Sequence, residues 1–402
     1  MRTYSRVTPE GARDILFEEC RGRREVQRRL TWAFTLRGYR EVMTPGIEYY
    51  DVFSLPGAAL PQREMYKTTD NRGRLIVFRP DSTLPIARMA ASRLQGQQKP
   101  LRLYYNQSIY RNRPDLSGRS DESAQMGVEL MGAGGLGADL EVVSLAAQAL
   151  EGCAPDFRME LGHAGIFRVL ADQLPVSPEQ KEELRATIEA KNYAALEELL
   201  EPLGENPAAE AIHRLPRLFG GEEALEEAAR YCSGGRAGEM LCYLRTVYTA
   251  LQKLGLGDRL MVDLGLVQRN DYYTGIVFSA YVPHHGAAVL MGGRYDGLCE
   301  KFGEPMPAVG FAVDVDACAL LLENGMEEEP APAVLVYGEP GFEAEAESAV
   351  SLLTRQGRLC ELSLFETREQ AEGYARDRGI PRLVLVGRQV TEMEIKRKGA
   401  NP

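Results

Sequence analysis

Gln268-Arg269-Asn270-Asp271-Tyr272-Tyr273-Thr274-Gly275-Ile276-Val277-Phe278 and, a little further on, Gly292-Gly293-Arg294-Tyr295-Asp296-Gly297-Leu298 are the stretches that decide the fold. Each sets glycines, tyrosines and charged residues beside a short apolar run. Ile276-Val277-Phe278 has the composition of a strand. Taken alone, Tyr272 and Tyr273 read as alternating core and surface positions of that strand, and the glycine stretch reads equally well as a turn. The rest of the chain decides between these readings and a site.

The chain has 402 residues, enough for two or three domains, one with a large core. Its 44% hydrophobic and 26% charged composition is that of a soluble globular protein. No apolar run approaches the ~20 residues that span a bilayer. Met1-Arg2-Thr3-Tyr4-Ser5 lacks the apolar core of a secretion signal, so a cytoplasmic location and no membrane partner are expected. The seven cysteines are scattered without Cys-x-x-Cys spacing. Reduced, mostly buried thiols are expected rather than a zinc site. Of the four histidines, His163 and His213 read as core or solvated residues, and His284-His285 as part of a solvated turn. No metal and no cofactor is expected. The formal charge is −11, which argues against a phosphate backbone, hence against tRNA, as the main partner.

Helical spacing of Val26, Leu30, Ala33 and Phe34 predicts a helix over 17–37, and 39–45 reads as a strand stopped by Pro45. Strands are expected at 76–78, 101–110 and 125–131, and a helix at 84–95. Asp139 is expected to cap a helix over 140–150. From about 175 to 257 Glu, Ala and Leu recur at helical spacing, a helical insertion in a strand-rich body. Strand signals resume from Leu260 through Phe278, at 288–291 and at 309–315, the last leading into a helix over 316–323. Residues 324–332 form the clearest linker. Beyond it strands and helices alternate, as in a small α/β domain. Gly132-Ala133-Gly134-Gly135-Leu136-Gly137 has the look of a phosphate loop, but a plain connection explains it. The fold class expected is α+β, with domains at 1–325 and 333–402.

The two opening stretches resemble the histidine-recognition segments of histidyl-tRNA synthetases, and further motifs follow in that family's order. Gly38 to Pro45 resembles the first class II synthetase motif. Arg79-Pro80-Asp81-Ser82-Thr83 resembles the family's Arg-Pro-Glu-x-Thr, whose acid meets the substrate amino group. Tyr110-Arg111, Gly118-Arg119 and Gln125-Met126-Gly127-Val128-Glu129 resemble the second class motif and its return strand. The resemblance makes Arg111 a remnant of the ATP site, and places Gln125 and Glu129 on the histidine site. It implies a class II synthetase-like antiparallel sheet flanked by helices, followed by a shortened anticodon-binding-like domain.

The chain departs from the family where positive charge is needed. Gln268 stands for an arginine that helps activate the carboxylate. Arg113 stands where the family usually has Glu. In the third class motif, Asp314 replaces a glycine and Ala317 replaces the arginine that supports the ATP phosphates. Adenylation concentrates negative charge in its transition state, and losing one fixed donor costs ~10²–10³ in rate. A free amino acid asks less. Asp81 and Glu129 suit its ammonium, and Gln125, Tyr273 and Tyr295 suit its side chain.

This profile is similar to that of the regulatory subunit of ATP phosphoribosyltransferase, a paralogue of histidyl-tRNA synthetase. The resemblance implies a subunit without its own turnover in the first step of histidine biosynthesis. It would activate a short-form catalytic subunit and let L-histidine, as effector, inhibit it. The implied assembly is a homodimer within a hetero-octamer. The alternative is a divergent histidyl-tRNA synthetase.

Overall fold

In a computed structural model, residues 4–57, 60–112, 120–267, 272–323 and 330–396 are described. They fall into two units, Met1–Met326 and Glu327–Pro402. The larger begins with α1 (Phe17–Leu36), which buries Val26, Leu30 and Phe34 one turn apart. The next elements are β1 (Arg40–Glu41), β2 (Ile47–Tyr49), β3 (Lys67–Thr69), β4 (Leu75–Phe78) and α2 (Thr83–Arg93). Then come the long hairpin β5 (Leu101–Tyr110) and β6 (Glu122–Met131), α3 (Leu136–Cys153), β7 (Arg158–His163) and α4 (Ala164–Ala171).

A helical block separates β7 from the rest of its sheet. It holds α5 (Pro178–Glu189), α6 (Tyr193–Leu200), α7 (Pro207–Arg214), the two-residue β8 (Phe219–Gly220), α8 (Glu222–Tyr231) and α9 (Gly235–Leu251). Caps set its boundaries. Ser177 and Gln180 form a capping box at α5, and Asn192 and Asn206 accept backbone N–H bonds at α6 and α7. The chain returns through β9 (Leu260–Asp263), β10 (Ile276–Tyr281), β11 (Leu290–Arg294), β12 (Ala308–Asp314) and α10 (Val315–Glu323).

Among the described residues these strands form a nine-stranded sheet ordered β1-β5-β6-β12-β11-β10-β7-β9-β8, with β2-β4-β3 as a small second sheet. Only β1–β5 and β7–β9 are parallel pairs. The period of two divides β6 between the faces. Met126, Val128 and Leu130 join the core beneath α1, α3 and α10. The alternate positions Gln125, Gly127 and Glu129 therefore face the other side, where Tyr105, Tyr272, Tyr273 and Tyr295 belong to a separate buried cluster.

Three local readings differ from the sequence expectation. The 39–45 segment pairs only over Arg40–Glu41. Beyond it Arg79 fastens the chain to β5, donating to Thr44 O at 2.7 Å, Gln107 Oε1 at 2.9 Å and Ser108 O at 2.6 Å. Asp139 does not cap its helix: α3 begins at Leu136 after Gly135, whose φ of +78° favours glycine. Asp139 is instead fully buried, with Arg294 Nη2 at 2.7 Å from its Oδ1. Tyr272 and Tyr273 lie before β10 rather than in it, and both are buried.

The smaller unit has β13 (Val334–Gly338), α11 (Glu343–Arg355), β14 (Cys360–Leu362), α12 (Arg368–Arg378), β15 (Arg382–Val386) and β16 (Val390–Glu394). Its sheet order is β14-β13-β15-β16, with β16 the antiparallel edge. Among the described residues no helix is long and apolar enough to cross a membrane. All seven cysteines are free, and Cys153, Cys232, Cys299 and Cys318 are buried.

Candidate functional site

Glu129 on β6 is a charged-type side chain buried almost completely, at 1% exposure. Its place depends on its cross-strand neighbour, Gly310 on β12. A Cβ on Gly310 would lie 1.9 Å from Glu129 Oε2, so only glycine leaves room for the carboxylate. The same device recurs beside it. A Cβ on Gly127 would meet Phe311 O at 2.1 Å and Tyr105 Oη at 2.6 Å. One on Gly293 would meet the Tyr273 ring at 2.7 Å. These bare backbones let large polar side chains lie against the sheet.

Two hydroxyls hold Glu129. Thr83 Oγ1 donates to Oε1 at 2.8 Å, and Tyr295 Oη donates a short bond to Oε2. Burial nevertheless dominates, and lifts the Glu129 carboxyl to about 8. Nearby Asp81 adds to that rise. Burial also pushes the Tyr105, Tyr272 and Tyr295 phenols well up, so they remain donors at neutral pH. The aromatic rings support one another: Tyr272 meets Tyr295 edge-on at 5.8 Å and Tyr273 at 4.9 Å.

Asp81 precedes α2 and accepts from Leu84 N at 2.9 Å, which fixes its carboxylate at the helix start. It is 7% exposed, and burial raises its pKa against the opposing pull of Arg111. Arg111 follows the last residue of β5. Its Nε donates to Pro80 O at 2.7 Å, and its Nη2 stands 4.0 Å from Asp81 Oδ2. Gln125 Oε1 accepts from Tyr105 Oη at 3.3 Å.

All six residues singled out from the sequence, Asp81, Arg111, Gln125, Glu129, Tyr273 and Tyr295, line one cavity of about 390 Å³. Arg111 is the one Lys or Arg among the described lining residues, against the acids Glu64, Asp81, Glu129, Glu182 and Glu189. Such a cavity can take an ammonium at Asp81 and a carboxylate at Arg111, with a polar side chain reaching inward to Gln125, Glu129 and Tyr295.

Sequence reading missed several contributors. Thr83 lay in a quoted motif, but its bond to Glu129 was not foreseen. Gly310 gave no signal of its role, because its partner is 181 positions away in sequence and adjacent only through the β6–β12 register. Glu182 and Glu189 look like ordinary surface positions of an acid-rich helix. Gln268, Arg269, Asp271, Arg113, Gly118 and Arg119 lie outside the described residues.

The third-motif residues sit elsewhere. Asp314 and Ala317 line a separate hollow together with Arg23, Glu122 and Asp316. Asp314 Oδ1 accepts from Ala317 N at 3.0 Å, so a carboxylate already occupies the N-terminus of α10. Asp316 is paired with Arg23 at 2.7 Å and accepts from Ala124 N at 2.8 Å. A helix start that is capped by an acid has little left to offer a phosphate.

Arg294, the arginine of the glycine stretch, turns away from the cavity. It is 6% exposed and bonds Asp139 on α3 and Asp296. Tyr243 of α9 donates to the other oxygen of Asp139. His163 caps α4 by accepting from Gly165 N at 3.1 Å, and burial lowers its pKa to about 4.

Comparison with known proteins bears on this geometry. The family model described as histidyl-tRNA synthetase matches residues 11–318. An ATP phosphoribosyltransferase regulatory subunit of Clostridium kluyveri is 38% identical over 387 residues, 94% of this chain and 99% of that one. One from Bacillus mycoides is 37% identical over 373 residues, 91% of this chain and 88% of that one. A crystal structure from Bacillus halodurans, titled as an ATP phosphoribosyltransferase regulatory subunit/histidyl-tRNA synthetase, matches with a TM-score of 0.81. It is 29% identical and covers 93% of this chain and 97% of its own. A histidyl-tRNA synthetase from Nostoc matches with a TM-score of 0.75 at 20% identity, over 97% of each chain, which speaks for the fold alone.

Proposed function

The chain belongs to the family of ATP phosphoribosyltransferase regulatory subunits, built on the histidyl-tRNA synthetase fold, and from that premise we propose that it binds L-histidine as an effector without activating it. In this reading it joins a short-form catalytic subunit at the first step of histidine biosynthesis. It activates that partner and conveys inhibition by the end product. It works in the cytoplasm as a homodimer within a hetero-octamer and charges no tRNA. The smaller unit is a shortened anticodon-binding-like domain that pads the assembly.

The observation that carries the proposal is the pairing of Asp81 with Arg111, 4.0 Å apart in a cavity whose inner end is Glu129. The ammonium and carboxylate of a free amino acid are neighbours on one carbon. An acid and a guanidinium at this spacing can receive both at once. The histidine ring then reaches Gln125, Glu129 and Tyr295. Arg111 thus has a use that needs no nucleotide.

The same features count against adenylation. Ala317 carries no charge, Asp314 adds one of the wrong sign at the α10 N-terminus, and Gln268 supplies no cation. With no cation at these three positions, the developing charge of the adenylation transition state loses part of its stabilisation. Inhibition follows if histidine binds more tightly to the inactive than to the active state of the complex.

Exchange of labelled pyrophosphate into ATP tests this against the alternative, a divergent histidyl-tRNA synthetase. The isolated chain with histidine gives no exchange above background. Histidine-dependent exchange would establish the synthetase reading.

A further inference from the structure

Two of the residues lining the cavity come from the helical insertion. Glu182 and Glu189 belong to α5, in the helical block, and line the cavity together with Leu60, Pro61 and Glu64. They stand at i and i+7, with Arg185 between them at i+3 on the same helix face. Arg185 is only 8% exposed although its partners reach solvent. Its Nε and Nη2 bond both oxygens of Glu182 at 2.8 and 2.6 Å, and its Nη1 bonds Glu189 Oε2 at 2.9 Å. The Glu182 bond, first among several, holds the guanidinium above its ordinary pKa.

This arrangement differs from a solvated charged face. A free glutamate samples many rotamers, whereas a carboxylate gripped at both oxygens is fixed in position. Arg185 spends its donors holding the two acids in place. The glutamates remain 59% and 44% exposed at the side chain, so their outer faces still meet whatever enters. Glu64 adds a third acid to the lining. Deeper in, buried Asp81 adds a further acid to the lining.

We infer that α5 is the charge-selecting gate of this pocket: Glu182 and Glu189, held by Arg185, favour entry of a positively charged amino acid and turn away phosphorylated ligands. The inference rests on the cavity being an amino-acid pocket. It assigns to the helical block a part in ligand choice. It also gives the cavity its own means of refusing nucleotides, apart from Asp314 and Ala317 in their separate hollow. Fixed charge at a low-dielectric opening changes the local concentration of charged ligands, and salt screens that effect.

Calorimetric titration of the full chain tests this. It is done near pH 6, where the histidine ring is mostly protonated (ordinary pKa about 6.5), with ATP added as competitor. At about 20 mM salt, E182Q/E189Q is expected to weaken histidine binding about three- to tenfold, and the gap to close at about 0.5 M salt. ATP, inert toward the wild type, becomes a measurable competitor in the double variant. Glu64→Gln, which leaves α5 and Arg185 untouched, shifts affinity the same way by less, so instability of α5 cannot account for the result. Equal affinities and equal salt dependence in all three proteins would overturn the gate. If those proteins bind alike while Glu129→Ala loses binding, the gate fails and the pocket reading stands. If the wild type does not bind histidine, both fail.

Discussion

Gly310 faces Glu129 across the β6–β12 ladder, and the carboxylate oxygen Oε2 occupies the space that any side chain at 310 would need, 1.9 Å from an ideal Cβ. The identity of residue 310 therefore decides whether Glu129 can stand where it does.

Gly310→Ala is expected to move Glu129 off Thr83 and Tyr295, because Val128 O at 2.4 Å also blocks the new methyl and backbone cannot yield as a side chain can. Overpacking of this kind costs about 1–3 kcal/mol. Histidine affinity should fall at least about tenfold, the scale of one lost charge-assisted hydrogen bond. Thermal melting and calorimetry check the two parts separately.

Glu129 also makes stability depend on pH. Its folded pKa is about 8, against an ordinary 4.5. Between those values the folded chain holds a proton that the unfolded chain has released. Its contribution to stability is thus fully present below about 4.5 and is lost as pH rises through 8. Glu129→Gln has no charge to bury, and its amide oxygen accepts from one hydroxyl while its N–H donates to the other. The melting temperature of this variant relative to wild type should climb from pH 5 to pH 8 and then level off. A flat difference would contradict the assignment.

The fold was legible in the sequence where one principle acted alone. The apolar spacing of Val26, Leu30 and Phe34 gave α1, and 101–110 matched β5 residue for residue. Reading failed where tertiary contacts overrode local preference. Asp139 has the chemistry of a cap, yet Arg294, 155 positions away, claims it. Tyr272 and Tyr273 look like alternating strand residues, yet both rings turn into the cavity cluster. The edge strand β16 was missed because Val390–Glu394 is mostly polar and exposed. The six candidate residues that share the cavity were picked out by motif order. The glycines that make room for them and the α5 acids are visible only in three dimensions.

The Asp139–Arg294 pair offers a test of support without ligand contact. Both side chains are buried, at 0% and 7% exposure, and Arg294 precedes Tyr295. Asp139→Asn leaves a buried guanidinium short of its counter-charge, and breaking such a pair costs about 3–5 kcal/mol. Urea unfolding should show that loss. Histidine affinity should change far less than in Gly310→Ala, because neither residue lines the cavity. A variant of normal stability would refute the structural role.

Arg111 separates the amino-acid reading from a vestigial nucleotide site. Arg111→Met removes the cation opposite Asp81, and should weaken histidine about 10- to 100-fold, the range of a lost hydrogen bond to a charged group. Histamine, which lacks the carboxylate, should bind wild type and variant alike. Equal loss for both ligands would place Arg111 in a purely structural role.

The most direct measurement is calorimetric titration of L-histidine into the wild type and into Glu129→Ala at neutral pH. The account predicts one saturable site per chain in the wild type and loss of that site in Glu129→Ala, with both proteins folded by circular dichroism. Unchanged histidine binding in Glu129→Ala would place the effector elsewhere and contradict it.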